Sequence, residues 1–137
     1  MVWFARPGVW STLWQGKYLL AQALVQEPKL LLLDEPIAHL DIGHQIKFLD
    51  LLKKLNRDKK LTVLVILHDL NLASEYCDYL VLLNEGGILK MGTPEKVLTY
   101  ENIEKAYNTV IVTGKNPVSG KLHVFTVTDD NMKKIQS

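Results

Sequence analysis

The sequence predicts an α/β fold with a mainly parallel sheet. Two aliphatic runs, Leu30–Leu33 and Thr62–Leu67, have the length and composition of buried strands. Between them, apolar residues recur at helical spacing from about Ile42 to Arg57. A strand, a helix and a second strand in this order are typical of a parallel sheet with helical crossovers, and the segments that follow predict a β-rich tail.

The first half of the chain predicts three elements. Lys17–Gln26 has a helical pattern, and Glu27-Pro28 ends it because proline disfavours helical backbone in the residue before it. The strand Lys29–Leu33 follows, and we expect it to be buried on both faces. Pro36 stops its hydrogen-bond ladder because proline has no N–H to donate. The next helix is marked by its apolar positions, Ile46, Phe48, Leu49, Leu51, Leu52 and Leu55.

The second half of the predicted fold begins with the second strand. Thr62–Leu67 is β-branched and apolar, and His68 ends it. Asp69 is placed to cap a short helix that reaches Tyr76. Asn84-Glu85-Gly86-Gly87 then predicts a hairpin turn. The two apolar runs that it joins are Tyr79–Leu83 and Ile88–Met91.

The tail predicts two short helices and a last pair of strands. Thr93-Pro94-Glu95 opens the first helix, with a cap and a proline in its first turn, and Asn102–Tyr107 forms the second. Asn116–Gly120 has the composition of a turn. The paired strands on either side of it are Thr109–Thr113 and Leu122–Val127.

Composition limits the class of protein. The chain has 137 residues, enough for one domain or part of one, and its net charge of +1 gives no electrostatic footprint for nucleic acid. The single Cys77 excludes an internal disulfide and suits a reducing compartment. No apolar run approaches the ~18 residues of a membrane span. We therefore expect a cytoplasmic protein, which can still dock on a membrane protein.

Asp34 and Glu35 are the first candidates for chemistry, because they follow an aliphatic strand directly. In open α/β sheets, ligands bind at the carboxyl ends of the strands. Two carboxylates there are suited to holding a hard cation and to activating a water molecule. We interpret Asp34 as a ligand of magnesium and Glu35 as a general base. The alternative is an acidic loop that only caps the next helix.

His68 is the second candidate, at the end of the neighbouring strand. Parallel neighbours end at the same edge of a sheet, so His68 is expected to share a crevice with Glu35. An imidazole there can donate a hydrogen bond to a phosphate or orient a water molecule. A histidine at a strand end is more often a structural residue, but the acidic strand upstream favours the functional interpretation.

Three motifs carry a family resemblance. Leu30 to Pro36 resembles the Walker B motif of ABC-type ATPases, Ala38-His39-Leu40-Asp41 resembles their D-loop, and His68-Asp69-Leu70 resembles their switch-histidine segment. The resemblance runs from about Tyr18 to Val127. Within that family, the tail with Gly92–Thr99 and Asn116-Pro117 is similar to importers of iron–siderophore, haem or cobalamin.

Two departures from the family pattern affect the expected activity. These 137 residues contain no G-x-x-x-x-G-K-S/T segment, the phosphate-binding loop or Walker A motif. Where the family has its signature Leu-Ser-Gly-Gly, the chain has Trp10-Ser11-Thr12-Leu13, so Ser11 alone matches. We therefore interpret residues 1–16 as an atypical segment with a degenerate signature. Residues 17–137 would be the C-terminal half of an ABC ATPase domain, with an incomplete P-loop NTPase sheet, flanking helices and a β-rich tail.

The resemblance implies a truncated ATP-binding subunit of an importer. ATP and Mg²⁺ would be its cofactors in an intact parent, with weak or absent binding in this chain. Asp34 would serve magnesium, Glu35 and His68 catalysis, and Ser11 and Asp41 nucleotide and dimer contacts. The implied partners are an ABC permease and a second ATPase subunit in a head-to-tail dimer, without nucleic acid, at the inner face of the cell membrane.

Two other functions stay open. The chain could be a non-catalytic remnant that pairs with full-length ABC ATPases or a permease. It could also be a soluble ABC-type ATPase of another class. In the family the phosphate-loop strand lies beside the strand Thr62–Leu67, so we expect an unpaired apolar edge and marginal stability.

Overall fold

The structure, a computed structural model, describes residues 20–128 and 130–131. Residues 20–25 are helical, in agreement with the predicted first helix, whose start lies outside the described residues. The chain divides into two compact units, Met1–Ile66 and Leu67–Ser137. The elements in chain order are β1 (Leu30–Asp34), α1 (Ile42–Lys59), β2 (Thr62–Ile66), α2 (Leu70–Tyr76), β3 (Leu80–Asn84), β4 (Gly87–Gly92), α3 (Pro94–Val97), α4 (Tyr100–Tyr107), β5 (Ile111–Lys115) and β6 (Leu122–Thr126).

The first unit contains a parallel pair of strands joined by a helix. β1 pairs with β2 in a register that runs from Leu30 opposite Thr62 to Asp34 opposite Ile66. Parallel strands need a long crossover, and α1 supplies it. The buried side of α1 carries Phe48, Leu49 and Leu52, as the helical spacing predicts.

The end of α1 is defined by its last residues. Lys60 takes a left-handed backbone with φ of 53°, and the Asn56 amide donates a hydrogen bond of 2.8 Å to the carbonyl of Leu61. The side chain of Leu61 is only 3 % exposed. The chain therefore leaves the helix through a short fixed connection and enters β2 directly.

The prediction that the aliphatic strand is buried on both faces is wrong. Leu31 is buried, but Leu30 and Leu32 are 52 % and 58 % exposed. On β2, Leu64 and Ile66 are 58 % and 50 % exposed. One helix covers one face of a two-stranded sheet, and within the described part of the first unit the second face has no cover.

The second unit is built on two antiparallel hairpins. In β3–β4, Asn84 pairs with Gly87, which leaves Glu85 and Gly86 as a two-residue turn. Both have positive φ, 48° and 77°, as a type I′ turn requires. The β5–β6 pair runs from Ile111 opposite Thr126 to Lys115 opposite Leu122. Both predicted hairpins are confirmed, with boundaries within a few residues.

The core of the second unit collects apolar residues from both hairpins and from the two short helices between them. Leu98 and Ile103, from the α3–α4 region, are 2 % and 1 % exposed. The cluster consists of Leu82, Val97, Leu98, Ile103, Ile111 and Val124. The tail is thus a packed unit with its own core.

The α/β class is confirmed. The described residues do not, however, form a mainly parallel sheet. They contain one parallel pair and two antiparallel pairs, each in a sheet of two strands. The antiparallel pairs result from short connections, which cannot join parallel neighbours. Among residues 20–128 and 130–131, no helix has the length and apolar character needed to cross a membrane.

Candidate functional site

The acidic couple lies at the carboxyl end of β1. Asp34 is the last residue of the strand, opposite Ile66 of β2, and Glu35 follows it. Both side chains are exposed. The structure therefore places the two carboxylates at the strand end that the sequence predicts, and their chemical roles stay predictions.

A tight turn begins at Glu35. Its backbone is left-handed, with φ of 46°, and its carbonyl accepts a hydrogen bond of 3.2 Å from the N–H of Ala38. Residues other than glycine rarely adopt this conformation, which interrupts the extended strand. The same region of φ occurs at Lys60, where a helix ends, so the backbone alone marks a turn and not a catalytic residue.

The segment between the acidic couple and α1 is held by a side chain that the sequence did not point to. The Gln45 amide donates hydrogen bonds of 3.2 Å to the carbonyl of Ile37 and of 3.0 Å to the carbonyl of Leu40. Ile37 is buried, with 6 % exposure. A glutamine one turn into a helix has no distinctive sequence signal, and only the folded loop shows its function.

Asp41 caps α1. Its Oδ1 accepts a hydrogen bond of 3.0 Å from the N–H of His44, and its Oδ2 lies 2.6 Å from Nδ1 of the same histidine. Donation from the His44 backbone N–H, followed by the bond with its ring, lowers the pKa of the Asp41 carboxyl below its usual 3.8. The carboxylate thus has a local structural function, and its predicted dimer contact stays a prediction.

We expect Asp41→Asn to remove a pH-dependent part of the stability. A carboxyl whose pKa is lowered on folding stabilises the folded state above its unfolded value of 3.8, and this contribution is lost as the pH falls through the lower folded value. Asparagine still caps the helix but does not titrate. The two proteins should therefore differ in unfolding free energy at pH 7 and converge in acid.

Chemical denaturation of both proteins between pH 2 and 7 measures this difference. Asp78→Asn is a control for the change of an exposed aspartate, because Asp78 is exposed and lies outside the helices and strands. A difference for Asp41→Asn that is independent of pH would contradict the interpretation of the cap.

His68 lies between β2 and α2 and is exposed. The next residue, Asp69, caps α2 as predicted: its Oδ1 accepts hydrogen bonds of 2.8 Å from the N–H of Asn71 and 2.9 Å from that of Leu72. His68 is therefore followed immediately by a fixed helix start. Its role as the residue that contacts phosphate stays a prediction.

α2 is fastened to the edge of β6 by side chains. Asn71 makes two hydrogen bonds with Val124, accepting from its N–H at 2.7 Å and donating to its carbonyl at 3.1 Å. Ser74, 1 % exposed, donates to the carbonyl of Leu122 at 2.7 Å. In the last turn of the helix, the Glu75 carboxylate accepts a hydrogen bond of 2.7 Å from Ser119. The segment that carries His68 is thus attached to the C-terminal hairpin.

The predicted constellation is described only in parts. Asp34, Glu35 and Asp41 belong to the first unit and His68 to the second, so their shared crevice stays a prediction. Ser11, the fifth predicted residue, lies outside the described residues.

The donor chemistry at β1 fits magnesium. Mg²⁺ prefers oxygen ligands and is commonly held by one or two carboxylates together with phosphate oxygens and water. The carboxylate of Asp34 is exposed at a strand end, where it can serve as such a ligand. Among residues 20–128 and 130–131, no group of three or more His, Cys, Asp or Glu side chains could hold a metal ion.

The chain is similar to transport ATP-binding proteins. It is 45 % identical over 101 residues to the ferric enterobactin transport ATP-binding protein of Escherichia coli K12, a match that covers 74 % of this chain and 37 % of that protein. It is 39 % identical over 113 residues to the cobalamin import ATP-binding protein of Halobacterium salinarum, covering 82 % and 28 %. The hemin import ATP-binding protein of Plesiomonas shigelloides is 45 % identical over 97 residues, covering 71 % and 37 %.

Solved structures give the same assignment. A metal-chelate type ABC transporter in an inward-facing conformation superposes with a TM-score of 0.78 at 28 % identity, covering 88 % of this chain and 49 % of that one. A dimeric bacterial ABC transporter cassette gives 0.57 at 32 % identity, covering 62 % and 36 %. No protein-family model matches the chain. The chain spans about a third of the length of the curated relatives that it matches.

Proposed function

We propose that this chain, which is homologous to part of the ABC transporter ATP-binding proteins, carries the hydrolytic side of the ATP site of an importer for iron–siderophore, haem or cobalamin. The observation that carries the proposal is the acidic couple Asp34–Glu35 at the carboxyl end of a parallel strand. Relatives that import ferric enterobactin, cobalamin and hemin support the class of solute.

Each predicted residue has a distinct task in this site. Glu35 accepts a proton from the water that attacks the γ-phosphate, and His68 donates a hydrogen bond to that phosphate. Asp34 would hold Mg²⁺, which supplies charge neutralisation on the phosphates when it is bound. Asp41, fixed at the start of α1, contacts the second subunit, and Ser11 contributes the remaining part of the signature.

The partners follow from the proposed class. The chain acts with a second ATP-binding subunit, as in the dimeric bacterial cassette, and with a permease, at the inner face of the cell membrane. The similar cbiO1 protein of Clostridium perfringens likewise belongs to a multi-subunit ABC transporter, the cbiONQ complex.

A non-catalytic function is the second candidate, and one observation favours it. The 137 residues contain no G-x-x-x-x-G-K-S/T segment, whose backbone amides and lysine would neutralise the triphosphate. On its own the chain is therefore expected to bind nucleotide weakly or not at all. In that form it would pair with full-length ABC ATPases or with a permease without turning over ATP.

A fusion of this chain with part of a full-length ATP-binding relative tests the proposal. The portion of the Escherichia coli ATP-binding relative that lies outside the 101 matched residues is fused ahead of residue 1, so that Ser11 stays in the chain. The fusion is expected to hydrolyse ATP in a magnesium-dependent manner, and the 137-residue chain is not. A fusion that folds and binds ATP but does not hydrolyse it would favour the non-catalytic function.

A further inference from the structure

The chain between β1 and α1 forms two successive turns. In the first, the carbonyl of Glu35 accepts a hydrogen bond of 3.2 Å from the N–H of Ala38. In the second, the carbonyl of Ile37 accepts one of 3.1 Å from the N–H of Leu40. We call residues 35–41 the connecting segment. Its first residue is the proposed general base, and its last is the proposed contact with a second subunit.

Gln45 attaches the connecting segment to α1. Its side-chain amide donates to the carbonyls of Ile37 and Leu40, at 3.2 Å and 3.0 Å. A primary amide has two N–H donors, which matches these two acceptors. The backbone N–H of Gln45 donates in turn to the carbonyl of Asp41 at 2.9 Å, so the glutamine is itself fixed at the start of the helix. The second turn of the segment is therefore held by α1 at two points.

This arrangement bears on the Glu35 carboxylate. The backbone hydrogen bonds fix the shape of the connecting segment, whereas the Gln45 amide fixes its place against a helix. A general base acts only within hydrogen-bond reach of the proton that it accepts, and a misplacement of about 1 Å can cost about a hundredfold in rate. Glu35 begins the segment, so a shift of the two turns moves its carboxylate.

We propose that Gln45 is a positioning residue for hydrolysis, which holds the connecting segment against α1 and thereby places the Glu35 carboxylate at the attacking water. The inference rests on the proposed function, because that function makes Glu35 the base. It adds a residue that contacts neither nucleotide nor water in the proposed site and that acts through the backbone of its neighbours.

Hydrogen exchange on the 137-residue chain tests the attachment itself. Gln45→Met removes both N–H donors and keeps a side chain of similar length. We expect the Leu40 amide to exchange about tenfold faster in this variant, since each hydrogen bond is worth about 1 kcal/mol and 1.4 kcal/mol corresponds to tenfold. Equal exchange in the variant and the unmodified chain would overturn the proposal, as would a Leu40 amide that is unprotected in the unmodified chain.

Asn56→Leu is the matched control. The Asn56 amide also donates to a backbone carbonyl, that of Leu61 at 2.8 Å, but at the other end of α1. The substitution therefore removes an amide–carbonyl bond from the same helix without touching the connecting segment. It should lower the denaturation midpoint and leave the exchange of the Leu40 amide unchanged.

The covalent fusion with the Escherichia coli relative measures the effect on hydrolysis. Gln45→Met is expected to lower kcat about tenfold or more with little change in KM and in ATP affinity, because the lost bonds go to the segment that carries the base. Asn56→Leu should keep kcat. If Gln45 has only a structural role, both variants lower the denaturation midpoint and both retain kcat, which would refute the inference.

Gln45→Glu tests whether donation by the amide is the cause. Glutamate has nearly the same shape, but its carboxylate has no proton to donate and would face two carbonyl oxygens. At neutral pH we expect kcat to fall at least as far as in Gln45→Met, and full hydrolysis by this variant would contradict the proposal. An unmodified fusion that folds and binds ATP but is inactive refutes the proposed function. An active fusion whose kcat is unaffected by Gln45→Met refutes only the inference.

Discussion

Replacing Glu35 with glutamine in the fusion is expected to lower ATP hydrolysis by about 10²–10⁴-fold, the range for loss of a general base. Glutamine has nearly the same shape but cannot accept the proton of the attacking water. The affinity for ATP should change little, because in the proposed site Glu35 acts on the water and not on the nucleotide. Single-turnover phosphate release and equilibrium ATP binding, measured on the same preparations, separate the two effects.

Glu27→Gln is a matched control for this substitution. Glu27 is exposed, belongs to the same unit and also has a left-handed backbone, with φ of 47° against 46° for Glu35. A change in backbone strain or in surface charge would therefore affect both variants. Hydrolysis that survives Glu35→Gln, or that falls equally in Glu27→Gln, would contradict the role of Glu35 as the base.

Local signals in the sequence were sufficient to place most of the elements. Asp69 caps α2 as the sequence predicts, because an N-cap needs only its own next few N–H groups. The Glu85–Gly86 turn forms for a similar local reason, because its two central residues adopt the positive φ angles that a type I′ turn requires. Such features depend on neighbours in the chain, and the printed sequence contains all of those neighbours.

Burial of the first strand could not be predicted in the same way. Leu30–Leu33 has the composition of a strand covered on both sides, yet Leu30 and Leu32 are about half exposed. The hydrophobic pattern shows which faces of a strand are apolar. Whether those faces are buried depends on whether another element of the fold packs against them. The exposed face is therefore a finding that requires the folded unit.

Contacts between distant segments were likewise outside the reach of sequence patterns. Gln45 fixes the loop after the acidic couple, and Asn71 is bonded to Val124, 53 residues away. Neither residue belongs to a recognisable spacing. For the candidate site, the sequence could thus supply the acidic couple and the histidine, but not the residues that hold their segments in place.

We expect Asn71→Ala to destabilise the second unit by roughly 2–3 kcal/mol, since each lost bond is worth about 1 kcal/mol and an unpaired buried group costs more. The Asn71 amide satisfies both the N–H and the carbonyl of Val124, a core residue with 8 % exposure. Removing it also deletes one of the attachments between α2 and β6, while the bond from Ser74 to the carbonyl of Leu122 stays. Chemical denaturation and hydrogen exchange of the α2 and β6 amides measure the global and the local effect.

Asn84→Ala is the control for the loss of an asparagine amide. Its single hydrogen bond, to the carbonyl of Lys105, is exposed and 3.5 Å long, so the change should stay within about 0.5 kcal/mol. Asn71→Leu then distinguishes hydrogen bonding from packing, because leucine has a similar size and no polar group. If the two bonds to Val124 stabilise the attachment of α2 to the hairpin, leucine fails as alanine does. If leucine restores stability, the loss in the alanine variant is due to packing and not to the Asn71 amide.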